Sequence, residues 1–441
     1  MFRKIADLSN ALVSRWLPDP FIFVALLTLL IFALGLALTP SSPMQMVNHW
    51  GGGFWKLLSF AMQMALVLVT GHVLASTSLM RGLIARLAST ARSASGAIVL
   101  VTVVSLVASW INWGFGLVIG AIFAKELARR VPRVDYPLLI ASAYSGFVIW
   151  HAGLSGSIPL TIATPGHFLE KTMGLIPTGQ TIFATFTLLP VALLLVVIPL
   201  VNRAMLNREH PVVVDPALLG VEGEAKPVPT AQQTPAERLE NSRFLSWLLG
   251  LLGLAFAAKY FVDNGFKLNL DIVNFLFLFT GIILHGTPRR FVDATVDAVK
   301  GSAGILIQFP FYAGLAGMMA GSGLIKVFSD GFISISTPET LPLFAFLSAG
   351  LVNIFVPSGG GQWAVQGPIM VEAAQHIGAS MPKTVMAVAW GDAWTNMIQP
   401  FWALPALGIA GLKARDIMGY CLVILFVVGV IVGACLWLIP G

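Results

Sequence analysis

Two apolar runs in this chain, residues 94–128 and 341–374, have lengths that fit neither one passage through a bilayer nor two. One passage takes about 20 helical residues, and two with a turn take about twice that. Each run is interrupted near its middle by small and polar residues, "SWINWGFG" at 109–116 and "VPSGGGQW" at 356–363. Backbone that leaves the helix inside hydrocarbon loses several kcal/mol per unpaired group, so it is tolerated only against protein, water or a ligand. The lengths and the interruptions together predict two re-entrant hairpins that dip into the membrane and turn back.

The remaining runs fit that frame. Apolar stretches at about 21–39, 56–78, 181–201, 244–262, 270–286, 301–325 and 417–439 have single-span length, and those at 137–164 and 384–411 are long and broken by Gly and Pro. Only 10% of the 441 residues are charged, against about 25% in soluble domains, which excludes a soluble globular class. Lysine and arginine set the orientation. With the N-terminus inside, 20 of the 26 basic residues fall inside, and the six outside are all lysines: Lys56, Lys171, Lys259, Lys267, Lys326 and Lys383. Both flanks of 94–128 are strongly basic, as a hairpin that returns to its own side requires. The expected fold is an all-α polytopic membrane protein with about nine full spans, two opposed re-entrant hairpins, the N-terminus inside and the C-terminus outside. The net charge of +6 is thereby assigned to topology and not to nucleic acid. No cleavable signal peptide is evident, and Cys421 and Cys435 read as ordinary apolar-segment residues.

Sliding the sequence by 246 positions superimposes Gly114 on Gly360, Glu126 on Glu372, Ala141 on Ala387, Tyr144 on Trp390 and Pro159 on Pro405. The order span, span, hairpin, broken span, span recurs in both halves. The expected divisions are an N-terminal interfacial helix at 1–20, a first repeat at 21–201, a cytoplasmic linker at 202–243, a connecting span at 244–262 and a second repeat at 263–441. The connecting span inverts the second repeat, a common build of secondary transporters.

Chemistry is expected where the backbone is broken. At the hairpin tips Asn112, Gly114, Ser358, Gly359, Gly360, Gly361 and Gln362 would offer backbone and side-chain donors to an anion, because the second arm of each hairpin starts with free amides at its positive dipole end. The glycines would also let helices pack closely. The breaks at 150–166 and 390–405 add His151, Ser155, Asn396 and Gln399. Ser155, with Ser157 and Thr161, has two available roles, bonding a solute or capping its own helix. His151 could carry a proton, pair with the substrate or cap a helix. Asp392 is the one acidic residue well inside an expected span, and an intramembrane carboxylate is a functional candidate. It could take up a proton, help bind Na+ with backbone carbonyls, or partner a buried polar group. Glu126 and Glu372 read as cap or packing residues. Tryptophans 110, 113, 363, 390, 394 and 402 crowd the breaks, as cavity walls or as interfacial anchors.

These motifs carry a family resemblance. "SRWLPDPFIFVALLTLL" at 14–30, "INWGFGLVIGA" at 111–121, "FPFYAG" at 309–314, "VPSGGGQWAVQGP" at 356–368, "QPFWALPALGIAGL" at 399–412 and "RDIMGYC" at 415–421 resemble the bacterial short-chain fatty acid transporter family over nearly the whole chain. The resemblance implies uptake of acetoacetate, butyrate or similar monocarboxylates across the inner membrane. The layout is also similar to the broader ion-transporter group, which includes divalent-anion/sodium symporters that bind substrate between opposed hairpin tips and often work as elevator-type homodimers. The Ser-Asn-Thr signature of the dicarboxylate branch is absent, so the coupling ion stays open between H+ and Na+. No cofactor is expected, and no GxxxxGK[ST] loop for ATP is present. The rival readings are a dicarboxylate or amino-acid carrier or exchanger of the same fold, a passive channel, and an intramembrane acyl-transfer enzyme. The enzyme would need a nucleophile or metal constellation that the sequence does not offer.

Overall fold

The computed structural model describes residues 20–131, 133–206, 211–215, 219, 234–354 and 356–441. The expected interfacial helix at 1–20, apart from its last residue, and half of the linker at 202–243 lie outside the described residues. All regular elements among the described residues are helical. Setting aside two short helices, Glu170–Met173 and Pro235–Glu240, nine α-helices precede the linker: α1 (Pro20–Leu38), α2 (Pro43–Gly53), α3 (Leu58–Ala75), α4 (Ser78–Ala88), α5 (Ala94–Ile111), α6 (Trp113–Arg130), α7 (Tyr136–Ser145), α8 (Ser157–Ala163) and α9 (Thr185–Ala204). After the connecting helix α10 (Arg243–Asn264), nine more follow: α11 (Leu270–His285), α12 (Pro288–Val299), α13 (Ala303–Ser322), α14 (Leu324–Ile335), α15 (Leu341–Asn353), α16 (Gly359–Ile377), α17 (Met381–Thr395), α18 (Pro400–Ala410) and α19 (Ala414–Leu438).

The repeat is therefore richer than the pattern of spans indicates. Two short helices, α2 and α4, flank the second span of the first half, and α12 and α14 occupy the same places in the second. Their starts share a chemistry. Ser42 caps α2 and Thr287 caps α12, each followed by a proline at the first helical position, where the missing N–H costs nothing. Among the described residues, eight helical stretches are long and apolar enough to cross a bilayer. Two expected spans fall outside that set. The helix Leu270–His285 has only 16 residues, about 24 Å, and 384–411 is divided at 396–399. The first hairpin arm, Ala94–Ile111, falls inside the set.

Contacts are exchanged between the halves. Helices α1 and α2 pack on α13, and α11 and α12 pack on α3. The second arm of each hairpin, α6 or α16, packs on the last piece of the broken helix of the other half, α18 or α8. Two groups of helices result. An outer group holds α1–α4 and α10–α14. An inner group holds the hairpins, the broken helices, α9 and α19. They meet chiefly where α3 and α4 touch α6 and where α13 and α14 touch α16.

Both hairpins turn within a few residues. In the first, α5 and α6 are separated by Asn112 alone. Their close contacts run antiparallel, Ser109 with Gly116 and Ser105 with Gly120, and a Cβ on Gly116 would stand 2.6 Å from the Ser109 Cα. In the second hairpin the Gln362 amide donates to the Ala349 carbonyl at 2.9 Å, and the Gln366 amide to Ser348 Oγ at 3.0 Å. The first tip meets the middle of α3, where Gly114 lies against Leu68. The second meets the middle of α13, where Gly361 lies against Tyr312. Both turns are therefore level with the midpoints of full-length helices.

Replacing Gly116 by Val should separate the arms, at a cost of about 1–3 kcal/mol from overpacking. Gly82, with nothing within 4 Å of an added Cβ, should accept Ala without loss. Thermal unfolding in detergent should show a lower midpoint for Gly116→Val only; equal midpoints would refute the arm-to-arm contact.

Candidate functional site

The broken helix of the first half is wedged between the two hairpin tips. It leaves α-geometry at Gly146, continues as a 3-10 turn to Ala152, and resumes helix only at Ser157. Amides freed by this break find acceptors in the first hairpin. The Leu154 amide donates to the Trp110 carbonyl at 2.7 Å, and the Trp113 amide donates to Ser155 Oγ at 3.0 Å. Ser155 thus serves neither of its expected roles alone: it closes the first tip. Asn112 Oδ1 accepts from the Phe115 amide at 2.9 Å, and Ser358 Oγ accepts from the Gly361 amide at 3.3 Å. The two residues aligned by the repeat are the N-caps of α6 and α16, so part of the amide set expected to be free is already satisfied.

Each glycine of the run at the second tip faces different neighbours. A Cβ on Gly359 would stand 2.6 Å from His151 Cε1 and 2.8 Å from the Trp150 ring, on Gly360 2.7 Å from Phe60 Cζ, and on Gly361 2.5 Å from Tyr312 Cδ2. Any side chain here would push an aromatic ring or the imidazole away. Gly114 plays the equivalent part at the first tip, 3.2 Å from the Leu68 Cα by the same measure. Gln362 is fully buried inside the second hairpin. Its amide is turned to Ala349 and Gln366, so it braces the hairpin from within.

Beside Gly359 the two halves join through buried polar groups. His151 Nε2 lies 3.1 Å from Asp392 Oδ2, with both side chains fully buried. The Trp150 indole donates to Asn396 Oδ1 at 3.0 Å, and the Tyr144 hydroxyl donates to the Asn396 carbonyl at 2.6 Å. Asn353, at the end of α15, donates to the Asp392 carbonyl at 2.8 Å and to Thr395 Oγ1 at 2.9 Å, and it accepts from the Gln399 amide. Six polar atoms here are buried without a hydrogen-bond partner among the described residues: His151 Nδ1, Asp392 Oδ1, Asn353 Oδ1, Gln362 Oε1, Asn396 Nδ2 and Gln399 Oε1. Such orphans are uncommon, and their gathering around one tip makes this region the candidate site. No group of three or more His, Cys, Asp or Glu residues is placed to hold a metal among the described residues.

Most of the aromatic residues serve packing. Trp150 stacks on His151 with centroids 3.6 Å apart, and Trp113 contacts Trp150 at 5.7 Å and Trp402 at 5.5 Å. Trp363 and Trp390 are fully buried, and Trp394 stacks on Phe346 at 4.8 Å. These rings pack around the polar cluster. Glu126 binds Arg129 and Arg130 at the end of α6. Asn353 escaped the sequence reading, although a lone amide in the apolar run "LVNIFVP" is the same signal that singled out Asn396.

The sequence can now be placed among known proteins. Residues 1–439 match the family described as short chain fatty acid transporter. The chain belongs to this family. A relative from Escherichia coli, named a candidate short-chain fatty acid transporter, is 50% identical over 432 residues, 98% of each chain. A second from Haemophilus influenzae with the same name is 44% identical over 430 residues, 96% of each. The family and these relatives are transporters and not enzymes, which sets aside the acyl-transfer reading. Among solved structures the fold is similar to that of the Alcanivorax borkumensis YdaH transporter, described as having an unusual topology, with a TM-score of 0.57, 17% identity, and coverage of 95% of this chain and 98% of that one.

Removing one member of the His151–Asp392 pair leaves a buried polar group uncompensated, which costs about 3–5 kcal/mol. His151→Gln and Asp392→Asn should each lower the thermal midpoint, and the double variant should lose less than the sum, with a coupling of about 0.5–3 kcal/mol. Additive losses would mean that the two side chains do not interact.

Proposed function

We propose that the protein is a secondary active transporter that imports short-chain monocarboxylates such as acetoacetate or butyrate by cation symport. The observation that carries this reading is the group of unpartnered polar atoms around the His151–Asp392 pair, beside the Gly359–Gly361 turn and level with the middle of α13. The carboxylate would sit at the second tip, against the first turn of α16, where the helix dipole favours negative charge. The short apolar tail would lie against the surrounding rings. The first tip, capped by Asn112 and closed by Ser155, would support the wedge between the hairpins.

His151 and Asp392 are the natural carriers of the coupling ion. A carboxylate and an imidazole in contact can hold or release one proton between them, which favours H+. The unpartnered oxygens of Asn353, Asp392 and Gln399 are also the hard donors that a Na+ co-substrate would need, so Na+ is the second reading. The arrangement in the membrane belongs to the same proposal: inner membrane, N-terminus inside, halves inverted, hairpins re-entrant from opposite faces. It is supported by the distribution of lysine and arginine and by the tips lying level with the midpoints of α3 and α13. A cleft of about 400 Å³ runs between α1, α13 and α14 and the second hairpin. The separation of outer and inner groups supports an elevator-type movement of the inner group, in a homodimer.

Purified protein in proteoliposomes should take up labelled butyrate when a proton or a sodium gradient is imposed, and not when both are collapsed. Succinate and amino acids in excess should fail to compete; if they compete as well as butyrate, the dicarboxylate or amino-acid carrier reading replaces this one. Asp392→Asn should remove the gradient dependence while butyrate exchange persists. Unchanged gradient dependence would take Asp392 out of the mechanism.

A further inference from the structure

Above the second hairpin tip lies a polar cavity that the proposed mechanism has not used. It has a volume of about 120 Å³ and is lined by Lys56, Ser59, Phe60, Gln63, Thr164 and His167, among others. That is room for about four water-sized groups, the size of a carboxylate with a short tail. A second, open cavity of about 370 Å³, bordered by Asn48, His49 and Gly317, shares Lys56 as a wall. Lys56 therefore stands where the small chamber meets the wider opening.

Most polar groups of the chamber are already engaged. The Gln63 amide donates to Asp271 Oδ1 at 2.7 Å. Thr164 Oγ1 donates to the Leu160 carbonyl at 2.7 Å and accepts from the Leu270 amide at 3.0 Å. His167 Nε2 lies 3.1 Å from the Gly174 carbonyl, and its Nδ1 accepts from the Leu169 amide. Burial also holds the His167 imidazole below its ordinary range, which favours its neutral form. Lys56 differs from them. Its side chain is exposed, and its ammonium has no hydrogen bond or ion pair among the described residues. It is the cation of the chamber that has charge to offer.

Phe60, in the first turn of α3, also lines the chamber, four residues after Lys56 in the turn that precedes the helix. The Phe60 ring packs on Phe168 and on Phe309, each with centroids 5.6 Å apart. Its far edge touches Gly360 of the tip. One aromatic ring thus separates the chamber from the turn at which the carboxylate is proposed to bind.

We propose that this chamber is an anteroom for the transported acid, resting on the functional reading above: Lys56 receives the carboxylate, the Phe60 and Phe168 rings take its alkyl tail, and Phe60 is the partition between this first site and the tip. Lys56 is a positioning residue. It raises the local concentration of the anion and leaves the translocation step to the groups below. An unpaired cation at the mouth of a low-dielectric cleft focuses the field on anions, and its effect falls with ionic strength.

The test uses the full chain in proteoliposomes and follows initial butyrate uptake at two salt concentrations. Lys56→Gln should raise KM by about threefold or more, keep the maximal rate within about twofold, and lose most of the salt dependence. Lys56→Arg should keep the wild-type KM. A KM unchanged in Lys56→Gln overturns the proposal. A second measurement does not need transport. With both native cysteines buried, Ser59→Cys should react faster with an anionic than with a cationic thiol reagent. Butyrate should protect it, and the charge preference should vanish when Lys56→Gln is added. Protection without uptake by the wild type would leave the anteroom standing and overturn the transport reading; uptake with no protection and no KM change would do the reverse.

Discussion

A peptide group that leaves its helix inside a bilayer must find a partner there, because hydrocarbon offers none and the loss is several kcal/mol per group. Every unusual feature of this chain follows from how that demand is met. The first broken helix supplies an acceptor and a donor to the first hairpin: Leu154 N–H bonds the Trp110 carbonyl, and Ser155 Oγ takes the Trp113 N–H. The second broken helix does the same for the second hairpin through side chains, with the Gln399 amide on the Asn353 carbonyl and the Asn353 amide on the Asp392 carbonyl. Hairpin and break are each unsatisfied alone. They occur as pairs because each completes the other.

This mutual completion fixes where the polar cluster can be. The breaks of the two halves meet through Trp150 and Asn396, which are 246 positions apart, the same register that aligns the repeats. A contact between equivalent positions is what an approximate exchange axis produces. The cluster grows outward from that contact, to His151 and Asp392 and then to Gly359 at the tip. The outer helices hold the assembly by exchanged packing, α1 and α2 on α13, α11 and α12 on α3. Each half packs its second span against helices of the other.

Much of this was legible in the sequence, and for identifiable reasons. Run length against bilayer thickness located the hairpins, because 94–128 and 341–374 admit few other solutions. The 246-residue register placed Asn112 and Ser358 together, and both prove to be N-caps. Asp392 stood out as a carboxylate among apolar residues. His151 stood out as well, but its pairing with Asp392 did not, since the two lie 241 residues apart in different breaks and nothing local joins them. Helices α2, α4, α12 and α14 were missed because a search tuned to spans passes over amphipathic pieces of about 11 or 12 residues. Gln362 and Ser155 were placed in the right segments, yet their roles depend on which way a side chain turns at a helix end, and periodicity does not report that.

The frame is symmetric and the chemistry is not. The positions equivalent to His151 and Asp392 at the 246-residue register are Met397 and Gly146. Neither titrates. The chain therefore carries one imidazole–carboxylate pair at the contact of two similar halves, where strict repetition would have made two. Similar halves let two alternative arrangements lie close in energy, and a ligand shifts the balance between them only through unequal affinity. A pair made of one group from each half is suited to that task. Any relative movement of the two breaks changes the 3.1 Å separation, and with it the affinity of both groups for a proton or a cation. In the transport cycle proposed above, duplication would supply the frame in which the chain moves, and the single unduplicated pair would link that movement to charge.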